Sequence, residues 1–254
     1  MSLKASTANG GQVVPYAAGA WHLEIPAAAP GAYRLAQLDD YAARPRSSFP
    51  WKPALTLQLR ARASSEHIPG TWGFGLWNDP FSLSLGFSGG VRRLPALPNA
   101  AWFFSASPPS ALSLRGDLPA QGALSATFRS PHLPVPLLAI GALVFPLFFW
   151  KVSAQWFRRM GRYLIQQDAV ALSFDLTQWH VYRLTWLPEE TTFFVDGACV
   201  MKTKVSPHPP LGLVIWIDNQ FAALPPKGRL SFGTLPNPQA AWIEVEHIEL
   251  HQEV

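Results

Sequence analysis

Residues Phe174–Val200 read FDLTQWHVYRLTWLPEETTFFVDGACV. Tyr182, Leu184 and Trp186 recur at alternate positions, the period of a half-buried strand. Pro188-Glu189 turns the chain, Thr191 to Val195 begins a second strand, and Ala198 to Met201 returns after Asp196-Gly197, the strongest short hairpin signal. The same period appears on either side of this block. Leu55, Leu57, Leu59, Ala61 and Ala63 share one face of an extended run, with Thr56, Gln58, Arg60 and Arg62 on the other. Leu211 to Ile217 is apolar on both faces and reads as a central strand. Ile243 and Val245 lie in one phase and Ile248 and Leu250 in the other, so a β-bulge is expected near Glu246-His247.

Composition agrees with an all-β chain. Of 254 residues 48% are hydrophobic and 14% charged, with 25 Pro, 18 Gly, 11 Trp and 16 Phe. Such aromatic content excludes a disordered chain, and the Pro and Gly density excludes a helical bundle. A single cysteine, Cys199, excludes an internal disulfide framework and a cysteine-based zinc site. The net charge of +4 is a mild excess with no basic run, so no nucleic-acid partner is expected. Met1 to Thr7 carries no apolar segment of the secretory type, which leaves the compartment open. The expected architecture is one antiparallel two-sheet sandwich spanning 1–254.

One stretch departs from the strand pattern. From Leu118 to Gln167 there is no Asp or Glu, while Arg129, Lys151, Arg158, Arg159 and Arg162 are all basic. Leu133 to Trp150 is uncharged but interrupted by Pro134, Pro136 and Pro146, which argues against a transmembrane span. Trp150 to Gln167 reads as an amphipathic helix. Lys151, Gln155, Arg158, Arg159, Arg162 and Gln166 form one sector, and Val152, Trp156, Phe157, Met160, Tyr163 and Leu164 the opposite one. Residues 131–167 are thus expected to be an insertion in the sandwich. The simplest reading has its apolar face capping the sandwich with solvated arginines. Two others make Trp150, Trp156, Phe157, Met160 and Tyr163 a membrane contact or a lid over an apolar ligand.

The block Trp179, His180, Tyr182, Trp186, Pro188, Phe193, Val195, Asp196 and Gly197 resembles a stretch found in the concanavalin A-like lectin/glucanase superfamily, and within it glycoside hydrolase family 16. Leu57–Ala63 is similar to an early strand of that family, Gly70–Asn78 to its aromatic substrate loop, Leu213–Asn219 to a late central strand and Val245–Gln252 to the closing one. The resemblance implies a jelly-roll sandwich whose concave face binds ligand through Trp72, Trp77 and Trp216, with Asn78, Asp218 and Asn219 as polar partners. Aromatic rings stack on the apolar faces of sugars, and the same surface would suit an apolar small molecule. Most of the tryptophans are nonetheless expected in the core, Trp179 and Trp186 among them.

The family's paired carboxylates are missing from their usual place. A retaining glycosidase needs two about 5–5.5 Å apart, whereas Asp117 and Asp168 alone stand between Asp79 and Asp175. No catalytic residue is therefore assigned, and a non-hydrolytic binding protein is expected. Two alternatives stay open: a diverged enzyme drawing on Asp79, Asp218 or His180, and a membrane-surface protein using the basic helix. Glu244, Glu246 and Glu249 read as solvated edge charges, although the resemblance makes Glu246 a candidate for a structural calcium site. Gly86–Gly90 spells G-x-S-x-G after a strand at Phe81–Leu85, but Pro95 and Pro98 preclude the helix a nucleophile elbow requires. His247 and His251 have a zinc-helix spacing that on a strand spans about 13 Å, so no metal or other cofactor is expected.

Overall fold

The computed structural model describes residues 2–27, 29, 31–80, 93, 96–111, 113–134, 136–137, 143 and 145–253. The strand expected at Phe81–Leu85 and the Gly86–Gly90 motif lie outside the described residues. Two seven-stranded sheets are stacked as a jelly-roll sandwich, and every pairing within them is antiparallel. The first is ordered β1 (Lys4–Ala8), β4 (Leu35–Asp39), β13 (Gly212–Asp218), β6 (Thr71–Trp77), β7 (Ala100–Ala106), β8 (Gly122–Arg129) and β9 (Gln166–Ala171). The second runs β12 (Ala198–Thr203), β11 (Thr191–Val195), β10 (His180–Trp186), β5 (Leu55–Ala63), β16 (Ala241–Gln252), β3 (Ala20–Ile25) and β2 (Gln12–Ala17). A short ribbon, β14 (Gln220–Ala223) with β15 (Ser231–Thr234), and one helix, α1 (Lys151–Leu164), complete the elements used below.

The alternation in β5 sends Leu55, Leu57, Leu59, Ala61 and Ala63 into the space between the sheets. There they meet Ile243 and Val245 of β16 and the inward residues of the first sheet, Phe74, Leu76, Phe103, Leu213, Ile215 and Ile217. Edge-on aromatic contacts cross the sandwich from Tyr182 to Phe74 (4.9 Å) and Phe103 (5.0 Å), and from Phe193 to Phe103 (5.1 Å). Trp186 is fully buried, and its indole N–H donates to Ser206 Oγ and the Pro207 carbonyl, so the polar end of the largest core side chain is satisfied.

Local signals place the turns. Asp196 and Gly197 take positive φ of 49° and 82°, as a two-residue hairpin of this hand demands. The bulge expected near Glu246-His247 is present: the β16–β5 register shifts between Glu246 and Glu249, and His247 has φ 53°. It returns Ile248 and Leu250 to the core side.

Several expectations are corrected. The helix stops at Leu164, and Gln166, read as its last polar residue, opens strand β9 against Arg129. Glu244 and Glu246 do not sit on an edge. Strand β16 lies between β5 and β3, and register sets Glu244 opposite Arg62 and Glu246 opposite Arg60, where both pairs form ion pairs. Glu246 thus has a guanidinium partner, and among the described residues no group of three or more His, Cys, Asp or Glu side chains gathers around it. Trp179 is not core: it lies half-buried on the outer face of the second sheet, with Arg60 and Arg62 5.2 and 4.9 Å from its ring centroid.

Two outward positions of β6 are glycine because neighbouring strands leave no room for more. A Cβ at Gly75 would stand 2.4 Å from the Ala101 carbonyl oxygen and 2.5 Å from Trp102 Cα. Gly75→Ala is accordingly expected to lower unfolding free energy by about 1–3 kcal/mol in urea titration, whereas Gly116→Ala, where nothing stands within 4 Å, changes it by less than about 0.5 kcal/mol.

Candidate functional site

The outer face of the first sheet carries the polar and aromatic residues that the core does not use. On β6 it receives Thr71, Gly73, Gly75 and Trp77, because Trp72, Phe74 and Leu76 point inward. Register brings Trp216 of β13 and Phe104 of β7 opposite Gly73, and Val214 and Trp102 opposite Gly75. With no side chain on the two glycines, the flanking indoles converge above β6. Ring centroids are 5.8 Å apart for Trp77–Trp102, 5.6 Å for Trp102–Trp216 and 6.3 Å for Trp77–Trp216, the last pair parallel within 4°. Trp77 and Trp216 are half-buried, Trp102 is 8% exposed, and the Trp102 indole N–H has no hydrogen-bond partner. Tyr41 and Phe49 wall the cluster on one side, with Tyr41 edge-on to Trp77 at 6.2 Å. Phe128, Leu118 and Ile165 wall it on the other. The loop bearing Leu118 is tied down where Gln167 accepts from the Leu114 N–H (2.9 Å) and donates to Ser113 Oγ (3.1 Å).

A polar relay borders the rings. The Trp216 indole donates to Thr71 Oγ1 at 2.9 Å, Thr71 donates to Asp218 Oδ1 at 2.9 Å, and the Gln220 N–H donates to the same oxygen at 3.0 Å. Tyr33 also bonds to this carboxyl. Burial pushes Asp218 up to about 7 against those stabilising bonds, and it pushes the Tyr33 phenol well above its usual value. The other acid on this face, Asp39, accepts from Gln37 Nε2 (2.9 Å) and from the Tyr41 and Ala42 N–H groups. Asp39 stands opposite Val214, so Asp218 lies four residues further along the neighbouring strand, about 13 Å at strand rise.

The remaining residues singled out in the sequence have other surroundings. Trp72 packs in the core between the sheets, facing away from Trp77 and Trp216. Asn78 donates to the Leu97 carbonyl and accepts from the Asn99 N–H, tying the end of β6 to the approach to β7. Asn219 spends both donors on the Ala32 and Leu235 carbonyls and accepts from the Arg34 N–H. Asp79 forms a buried ion pair with Arg93 (2.7 Å) just beyond the opposite end of β6 from Asp218. His180 bridges Asp196 (2.6 Å) and the Asp175 carbonyl in the second sheet. Asp79, Asp218 and His180 therefore occupy three separate places.

Trp102 and Phe104 were not singled out in the sequence. Ala100–Ala106 is apolar in both phases, the same signature that marks Leu211–Ile217 as central, and that signal could have found them.

Helix α1 overturns the expectation that its apolar face caps the sandwich. The docked stripe is the buried Ala154 and Arg158 with the half-buried Gly161, one turn apart along the helix, Gly161 lying against Leu114. Arg158 donates to the Leu224 carbonyl through Nε (3.0 Å) and to the Ser113 carbonyl through Nη2 (2.6 Å). The apolar side faces outward: Trp150 is 61% exposed, Trp156 54%, Met160 41% and Tyr163 81%. Phe157 is half-buried and stacks on Phe148 at 4.6 Å. An open groove of about 660 Å³ runs along Leu147, Trp150, Val152, Trp156 and Phe157.

No protein-family model matches the chain, and no curated protein does. Solved structures are similar to it at low identity. A glycoside hydrolase family protein from Mycobacterium thermorestibile is 14% identical with a TM-score of 0.46, over 92% of this chain and 76% of that one. A legume lectin-like domain from Entamoeba histolytica is 12% identical with a TM-score of 0.45, over 100% and 90%. A β-1,3-glucanase from Mycobacterium marinum is 13% identical with a TM-score of 0.41, over 91% and 74%.

The raised Asp218 fixes the sign of a pH effect. A carboxyl held above its ordinary 3.8 keeps its proton longer in the folded chain than in the unfolded one. Its contribution to stability is complete below the unfolded carboxyl's pKa and is lost as pH rises to about 7. Asp40, pushed up to about 6 by burial, acts in the same direction. Urea midpoints measured from pH 4 to 8 are expected to fall with pH in the parent chain and to fall less steeply in Asp218→Asn.

Proposed function

We propose that this chain is a non-hydrolytic carbohydrate-binding protein whose site is the Trp77–Trp102–Trp216 cluster on the outer face of the first sheet. The observation that carries this reading is the convergence of three indoles over Gly73 and Gly75. Indole faces offer a large apolar surface to the C–H face of a pyranose at little conformational cost. The half-buried Thr71 hydroxyl, held between the Trp216 indole and Asp218, supplies a polar group at the cluster's edge for a ligand hydroxyl. The sequence resemblance to lectins and glucanases supports a glycan ahead of a purely apolar ligand. A binding role is favoured over hydrolysis because Asp39 and Asp218 are offset by four strand positions, well beyond the about 5–5.5 Å of a retaining pair or the about 6.5–9.5 Å of an inverting one.

Affinity electrophoresis and calorimetry against soluble β-glucans, galactans and mannans, with a reducing-end assay on the same mixtures, test this. At least one glycan class is expected to bind without release of reducing ends. Trp216→Ala and Trp77→Ala are expected to weaken it at least about tenfold, as truncating an aromatic anchor does, with Trp216→Phe intermediate and circular dichroism unchanged. Absence of binding to every glycan, or appearance of new reducing ends, would overturn the reading.

A further inference from the structure

An amphipathic helix on a globular chain ordinarily buries its apolar stripe. Helix α1 does the reverse. Successive residues step by about 100°, which sets Val152, Trp156, Met160 and Tyr163 on the side directly across from the docked stripe of Ala154, Arg158 and Gly161. The anchor explains the inversion. Arg158 is buried and its guanidinium is held by two backbone carbonyls from separate loops, so the helix is fixed by a polar contact and its apolar side is left over. The exposed cations Lys151, Arg159 and Arg162 occupy the sector between the docked and apolar sides. No Asp or Glu lies between residues 118 and 167.

We propose that α1 docks this chain on the interface of an anionic lipid bilayer. In that pose Trp150, Trp156, Met160 and Tyr163 enter the boundary between head groups and acyl chains, while Lys151, Arg159 and Arg162 reach lipid phosphates from the flank. Trp and Tyr suit that depth because each has an apolar ring and a polar tip. The charge pattern selects this occupant: an anionic surface complements a helix flanked by Lys151, Arg159 and Arg162 with no acid of its own, whereas a second copy of the chain would bring the same cations. The helix lies on the bilayer and does not cross it. Its 14 residues extend about 21 Å, short of a hydrocarbon core of about 30 Å, and no helix among the described residues is long and apolar enough to span one. The proposal is independent of the glycan site, since none of these residues belongs to the tryptophan cluster of the first sheet.

The test is co-sedimentation of the full chain with sucrose-loaded vesicles of phosphatidylcholine alone or of phosphatidylcholine with 30% phosphatidylglycerol, at about 0.1 M and about 1 M salt, where the screening length falls from about 10 to about 3 Å. Pelleting is expected with the anionic vesicles at low salt and is expected to fall at high salt. Trp156→Ser combined with Met160→Ser, and separately Lys151→Gln with Arg159→Gln and Arg162→Gln, are each expected to cut partitioning at least about tenfold. All five positions are exposed, and an unchanged urea midpoint confirms that each variant folds. The proposal is overturned by a chain that stays in the supernatant with both vesicle types, by neutral vesicles binding as strongly as anionic ones, or by variants that pellet like the parent. It is overturned equally by lipid-free dimerisation in sedimentation velocity that Trp156→Ser abolishes, which would assign the face to a second copy.

Discussion

The structure turns on one constraint: the central strands of the first sheet are apolar on both faces. Strands β13, β6 and β7 feed Leu213, Ile215, Ile217, Phe74, Leu76 and Phe103 into the sandwich. On the opposite side they present Val214, Trp216, Trp77, Trp102 and Phe104. Apolar area removed from water is worth roughly 25 cal/mol per Å², so that outer face needs a cover. Part of it is self-supplied, by indoles leaning over Gly73 and Gly75. The rest comes from outside the sheet: Tyr41 and Phe49 on one flank, Leu118 and Ile165 on the other. Trp77 and Trp216 remain half-buried under this cover.

The segment between β8 and β9 follows a different rule. Chain leaving β8 at Arg129 must return to its neighbour β9 at Gln166, and α1 is carried between them. What it rests on is loop backbone, through the carbonyls of Ser113 and Leu224, and a guanidinium meets such acceptors better than an alkyl group can. The apolar side of the helix is thereby displaced toward solvent, where Trp150, Val152 and Tyr163 are each more than half exposed.

Most of the sandwich was legible because its signals are local. The period of Leu55–Ala63, the Asp196-Gly197 turn and the phase slip at Glu246-His247 each depend on a few neighbouring residues, and each appears where expected. What the sequence left hidden depends on partners far along the chain. Parity separates Trp72 from Trp77, but which parity faces inward is decided by the strands on either side. Asn219 looks like a ligand-binding amide until the carbonyls of Ala32 and Leu235 are brought to it from 187 and 16 residues away. Trp179 belongs to a block whose other aromatics pack inward, yet Arg60 and Arg62 of a distant strand draw it to the surface. In α1, periodicity reveals two faces and is silent on which one docks. Arg158 decides it through contacts 45 and 66 residues away.

The account stands or falls on whether the indoles above Gly73 and Gly75 meet a glycan. Indole ¹⁵N–¹H resonances, assigned by single Trp→Phe variants, report each ring separately while a bound glycan is titrated. Shifts concentrated at Trp77, Trp102 and Trp216, with Trp72 and Trp186 unmoved, are the predicted result. Shifts confined to Trp179 on the outer face of the second sheet, or none at any indole, would contradict it.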